Sequence, residues 1–140
     1  MKKQRFLILI SAIFIFIILL TCCEKSDLTE QEPTSAVTTI EYKKITPQEA
    51  EAMMSDDVIV LDVRTQEEFD DGHIKNAVLL PDYEIKEKAA NILPDKNKII
   101  LIYCRTGRRS ANAAKELIDM GYTDIYDFGG IVDWTGEIEK

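Results

Sequence analysis

Two continuous apolar runs dominate the hydropathy pattern, Val58-Ile59-Val60-Leu61-Asp62-Val63 and Ile99-Ile100-Leu101-Ile102-Tyr103. Unbroken β-branched runs of this length suit strands covered on both faces, where no polar alternation is needed. Shorter apolar stretches at 40–43, 77–80 and 125–128 add three further strand candidates. Between these runs the period changes to that of helices. Thr46-Pro47-Gln48-Glu49 is a capping box with proline at the first helical position and opens a helix to about 54. Thr65-Gln66-Glu67-Glu68 repeats the device and predicts a short helix to about 71, after which Gly72-His73-Ile74 turns the chain toward the next strand. Pro81-Asp82 starts a helix to about 93 that Pro94 and Asp95 stop, and the pattern over 111–120 gives a last helix with Gly121 as its C-cap. Strand and helix in alternation predict an α/β fold, a mostly parallel five-stranded sheet with helices on both faces.

The N-terminal pattern is of another kind. Residues 6–20 are apolar except for Ser11 and follow Lys2, Lys3 and Arg5, the layout of a secretory signal. The stretch Leu19-Leu20-Thr21-Cys22-Cys23 resembles a bacterial lipobox, which would make Cys22, or else Cys23, the lipidated residue. An uncleaved signal anchor is the other reading, and both leave the domain on the extracytoplasmic face of the cell membrane. Residues 24–39 are polar, contain Pro33 and lack apolar periodicity, so they read as a flexible tether with a reach of about 20–25 Å. The expected organisation is an export segment over 1–23, the tether over 24–39 and one domain over 40–140, a size that allows a single hydrophobic core.

Charge narrows the choice of partner. The chain carries a net −8, and removal of residues 1–21, which hold three basic and no acidic residues, leaves −11. So acidic a domain is unsuited to nucleic acid or to lying flat on anionic lipid. Against that background Cys104-Arg105-Thr106-Gly107-Arg108-Arg109-Ser110 concentrates three arginines within five residues. The segment joins a buried strand to a helix N-terminus, where free N–H groups and the helix dipole favour an anion, and Gly107 supplies the positive φ that a tight loop needs. Such surroundings move a cysteine pKa from about 8.5 to roughly 3.5–7.5. Cys104 is therefore the candidate nucleophile and Arg105, Thr106, Gly107, Arg108, Arg109 and Ser110 the candidate anion-binding loop, beyond the carboxyl ends of the strands where open α/β sheets bind ligands. With Cys22 and Cys23 spent on anchoring, the domain keeps one cysteine, which excludes an internal disulfide or a paired-cysteine metal site; neither metal nor cofactor is expected.

The loop resembles the active-site loop of the rhodanese family of sulfurtransferases, which carry sulfur as a cysteine persulfide. The resemblance extends through Leu61-Asp62-Val63-Arg64, Glu67-Glu68-Phe69, Gly72-His73-Ile74 with Ala77, and Gly121-Tyr122 to Phe128-Gly129-Gly130 and Trp134, in the family's order. It implies transfer of sulfane sulfur from a donor such as thiosulfate to cyanide or a thiol through a Cys104 persulfide. Arg109 follows Cys104 by five positions, the spacing of the sulfurtransferases, whereas related phosphatases and arsenate reductases place arginine at six. Arg105 and Arg108 are expected to meet the substrate anion, Arg109 either to join them or to fold onto Asp62 or Glu68, and Ser110 to cap the helix. Asp62 and Arg64 are expected to pair and fix a strand end, and His73 to serve a structural turn. Tyr122, Tyr126, Phe128 and Trp134 read as core or pocket wall. Two other readings keep the same residues: a sulfur-carrier or redox module that passes the persulfide to a partner protein, and a non-catalytic oxyanion-binding module at the cell surface.

Overall fold

A computed structural model describes residues 41–140; the expected export segment, its cysteines Cys22 and Cys23 and the whole of the tether lie outside the described residues. The main sheet contains β1 (Lys43–Lys44), β2 (Ile59–Asp62), β4 (Val78–Leu79), β5 (Ile100–Cys104) and β6 (Ile125–Gly130) in the order β1-β6-β5-β2-β4. Every pairing in it is parallel. A separate antiparallel pair joins β3 (His73–Ile74) to β7 (Ile138–Glu139). Helices α1 (Pro47–Met53), α2 (Gln66–Asp70), α3 (Ile85–Ile92) and α4 (Arg108–Asp119) fill the connections.

The central strand β5 is buried throughout, which accounts for its unbroken apolar run. Ile100, Ile102 and Cys104 face a core made with Leu80, Ile85, Ala89, Leu93, Ala113, Ala114 and Leu117, contributed by β4, α3 and α4 or the residues flanking them. Leu101 and Tyr103 face the opposite core, with Ala50, Val60, Ile74 and Phe128. The strand's alternation thus divides one apolar run between two layers. Cys104 ends the strand on the face covered by α4.

The expected elements are present with local differences. The first strand lies at Lys43–Lys44 rather than 40–43, and the helix predicted from 82 begins as a 3₁₀ turn, Asp82–Glu84, before α3. Met120 is the C-cap of α4, and Gly121 follows it at φ 90°, accepting the left-handed position that a β-carbon resists. The strand β7 was not foreseen. It is two residues long with one apolar side chain, too little for a periodic signal, and its partner β3 lies more than sixty residues earlier. Both capping boxes form as the sequence predicts.

Candidate functional site

The site begins where β5 gives way to α4. Gly107 holds φ 91° and is the N-cap of α4, so the chain turns within three residues of the cysteine. This corrects the expectation for Ser110: it lies inside the first turn, and Gly107, which has no side chain to offer, occupies the cap. The glycines of β6 make the turn possible. A β-carbon on Gly130 would collide with the Arg105 carbonyl and reach 2.7 Å from the Thr106 Cα, and one on Gly107 would stand 3.3 Å from the Gly129 Cα. Loop and strand therefore pack backbone to backbone, a closeness that only glycine permits.

Cys104 is a free thiol with 1% of its surface exposed. The Gly107 amide donates to its Sγ at 3.1 Å. Burial pushes the thiol up, but the donors around it, led by the amides of Ser110 and Thr106, outweigh it and hold the pKa below the ordinary cysteine value. Backbone donors aimed at a sulfur at a helix N-terminus stabilise a charge on that atom. Arg105, Thr106 and Arg108 stand exposed around it.

Arg109 takes a different direction. Its Nη1 and Nη2 donate to Glu68 at 2.7 and 2.8 Å, a two-pronged pair that ties the start of α4 to α2. Of the two partners the sequence allowed, Glu68 has it; Asp62 is occupied by Arg64. With its guanidinium engaged, Arg109 supports the loop while remaining near enough for its charge and that of Cys104 to interact. The Arg109 guanidinium holds the Glu68 carboxyl down at about 2, well under the usual range.

Asp62 and Arg64 form a second pair, fully below the surface. Arg64 Nε and Nη2 donate to the Asp62 carboxylate at 2.9 and 2.7 Å, and Nη2 also reaches the Gly72 carbonyl at 2.8 Å. The pair fixes the carboxyl end of β2 beside β5. His73 stacks on Phe69 with ring centroids 3.6 Å apart, and its Nδ1 lies 3.0 Å from the Phe69 carbonyl. Its Nε2 lies 3.5 Å from Glu139 of β7, so the imidazole joins α2 to the C-terminal strand. Phe128 stands between Tyr103 and Trp134, with centroids at 5.3 and 5.7 Å.

One site residue escaped the reading of the sequence. Asp127, on β6, is 2% exposed, and its Oδ1 accepts from the Ser110 hydroxyl at 2.7 Å and from the Gly129 amide at 3.0 Å. The available signal was a carboxylate between Tyr126 and Phe128 in an otherwise apolar strand. Among the described residues no group of histidines, cysteines and carboxylates is arranged to hold a metal ion.

Comparison with known proteins bears on this arrangement. The profile of the Rhodanese-like domain matches residues 46–137. The chain is 40% identical over 73 residues to the thiosulfate sulfurtransferase PspE of Escherichia coli, spanning 52% of this chain and 70% of that protein. It is 34% identical over 95 residues to the thiosulfate sulfurtransferase GlpE of Coxiella burnetii, spanning 66% and 87%. Among solved structures, a rhodanese with anions from E. coli superposes with a TM-score of 0.56 at 36% identity, over 59% of this chain and 98% of that one. A rhodanese-like domain protein from Staphylococcus aureus does so with a TM-score of 0.58 at 35% identity, over 69% and 96%.

Proposed function

The chain belongs to the rhodanese-like domain family, and from that premise we propose that it is a sulfurtransferase in which Cys104 carries sulfane sulfur as a persulfide. The Cys104 thiolate attacks the outer sulfur of thiosulfate; a new S–S bond forms, the donor's S–S bond breaks, and sulfite leaves with the electron pair. The outer sulfur of the persulfide is then attacked by cyanide or a thiolate, giving thiocyanate or a new persulfide and returning the Cys104 thiolate. Each half-reaction moves one sulfur atom and consumes no external oxidant or reductant.

The observation that carries this reading is the convergence of the Thr106, Gly107 and Ser110 amides on one buried sulfur, with the Gly107 contact at 3.1 Å. Donors fixed before the reaction stabilise the anion without reorganising at the moment it forms. Arg105 and Arg108, exposed at the rim, are assigned to the approaching anion, and Asp62, Arg64 and His73 to support of the loop's surroundings. Thiosulfate as the donor is supported by the names of the relatives in E. coli and C. burnetii.

The test is the mass of the full chain before thiosulfate, after it, and after cyanide, with the site mapped by proteolysis. One sulfur atom gained on the peptide holding Cys104 and removed by cyanide supports the cycle, and Cys104→Ser abolishes the gain. A reduced Cys104 that takes no sulfur from thiosulfate or from other sulfane donors overturns it.

We assign the domain to the extracytoplasmic face, anchored through Cys22 or Cys23 after cleavage of the preceding segment. The support is the basic and apolar order of residues 2–20 and the two cysteines that follow. Incorporation of labelled fatty acid into the membrane fraction, lost on replacing Cys22 and Cys23, checks the assignment.

A further inference from the structure

Asp127 is an unusual group to find on the central part of this sheet. It stands in register with Ile102 of β5, beyond which the β5/β6 pairing slips so that Cys104 faces Gly130. That irregularity turns the Gly129 amide back onto the Asp127 carboxylate. Among the described residues no lysine or arginine forms an ion pair with it, so a buried carboxylate is held by one amide and one hydroxyl. Burial of a charge on such terms is costly.

We propose that Asp127 is a positioning residue that holds the Ser110 hydroxyl hydrogen away from Cys104 and so sets how tightly the cysteine keeps its proton. The inference rests on the reading of Cys104 as the working nucleophile. A serine hydroxyl has one hydrogen to give. Around Ser110 Oγ, which is fully buried, stand the Asp127 carboxylate at 2.7 Å, the Gly107 carbonyl at 3.1 Å and the Gly129 carbonyl at 3.4 Å. The carboxylate is both the shortest contact and the charged one, so it takes the hydrogen. The backbone amides keep their hold on the sulfur, while the Ser110 hydroxyl, which also neighbours the sulfur, is drawn from it toward the carboxylate.

The other charges near the sulfur act in parallel. Arg105, Arg108 and Arg109 lie on the loop and α4, Glu68 on α2 is bound to Arg109, and Asp82 precedes α3 within range of Arg109. Asp62 at the end of β2 is neutralised by Arg64, and Lys44 of β1 lines the groove that Arg108 and Asp127 share. All of these are unchanged in a comparison of Asp127 variants. In Asp127→Asn the amide can donate to Ser110 Oγ, which frees the hydroxyl hydrogen for the sulfur.

The experiment follows iodoacetamide alkylation of the full chain against pH, read on the tryptic peptide 99–105 so that Cys22 and Cys23 do not contribute. Asp127→Asn is expected to lower the midpoint by about one pH unit, making alkylation below the midpoint about tenfold faster. Ser110→Ala alone moves the midpoint little, and in the Ser110→Ala background Asp127→Asn loses most of its effect. An unchanged or raised midpoint in Asp127→Asn overturns the proposal. So does an equally large shift without Ser110, since the carboxylate would then act by charge alone. Should Asp127→Asn not fold, the wild-type chain gives the same answer: the Asp127 carboxyl carbon resonance must move at the pH where the Cys104 Cβ resonance titrates, and a flat trace refutes the coupling. Alkylation needs no sulfur transfer, so failure of the persulfide cycle leaves this result separately readable.

Discussion

The molecule contains the same helix-opening device twice, and the two copies have different consequences. At α1, Thr46 accepts from the Glu49 amide at 3.2 Å, and Glu49 returns contacts to the Thr46 amide and hydroxyl at 2.7 and 2.9 Å. That box is closed on itself and exposed. At α2, the Glu68 amide donates to the Thr65 hydroxyl at 3.3 Å, and the Thr65 amide stands 3.2 Å from a Glu68 carboxylate that also accepts from Arg109 at 2.7 and 2.8 Å. A local motif has become the anchor of a distant loop, forty-one residues away in sequence. The same four-residue pattern only opens a helix in one place and also shapes the surroundings of Cys104 in the other.

The sharpest way to break this comparison is Glu68→Ala. It leaves Arg109 without its partner where the side chain is only 19% exposed and removes half of a capping box. A loss of about 2–3 kcal/mol is expected, measured by urea unfolding through the emission of Trp134. Sulfur loading of Cys104 should fall about tenfold as the start of α4 loosens. If stability and loading fall no further than in the corresponding α1 variant, the tie to Arg109 contributes nothing.

Acid should remove the same contribution without mutation. The Glu68 pKa is depressed from 4.5 to about 2 in the folded protein. A carboxylate depressed on folding adds stability that is fully present above its unfolded value and is lost as pH falls through the folded value. The stability gap between the wild type and Glu68→Gln should therefore be constant above about pH 5 and close between there and pH 2. A gap that stays constant across that window would mean that the ion pair is energetically silent.

How far this could be read from the chain depends on whether the cause was local. The runs 58–63 and 99–103 are self-evident as buried strands because both faces are covered, and the two threonine boxes and the turn at Gly107 need only their own neighbours. Arg109 shows where local reading stops: Asp62 and Glu68 are both acidic and both upstream, and only the position of α2 against α4 makes Glu68 the partner. Ser110 was misassigned because a serine near a helix start usually caps it, whereas here the required φ of 91° gave that place to Gly107. Asp127 was hidden by its setting in an apolar strand; its meaning comes from a slip in β5/β6 pairing that no residue pattern announces.

A smaller effect is expected from Arg109→Lys. The charge survives, but an ammonium cannot make both parallel contacts to Glu68. The cost should be about 1 kcal/mol with loading reduced a few-fold, intermediate between the wild type and Glu68→Ala. A loss equal to that of Glu68→Ala would show that geometry, rather than charge, holds the loop.

The smallest effect belongs to Glu49→Ala, and it is the control on which the comparison turns. Thr46 remains to accept from the first turn, Pro47 keeps the backbone preset, and the lost contacts are solvent-exposed. Thermal unfolding should shift down by about 2 °C or less, and the rate of sulfur loading should be that of the wild type. Glu49 and Glu68 serve different helices and share no partner, so a Glu49→Ala and Glu68→Ala double variant should lose the sum of the two single losses. Non-additivity, or a slowed loading in Glu49→Ala alone, would mean that α1 reaches the cysteine loop through the Tyr103 and Phe128 layer, and the first box would then have to be counted with the second.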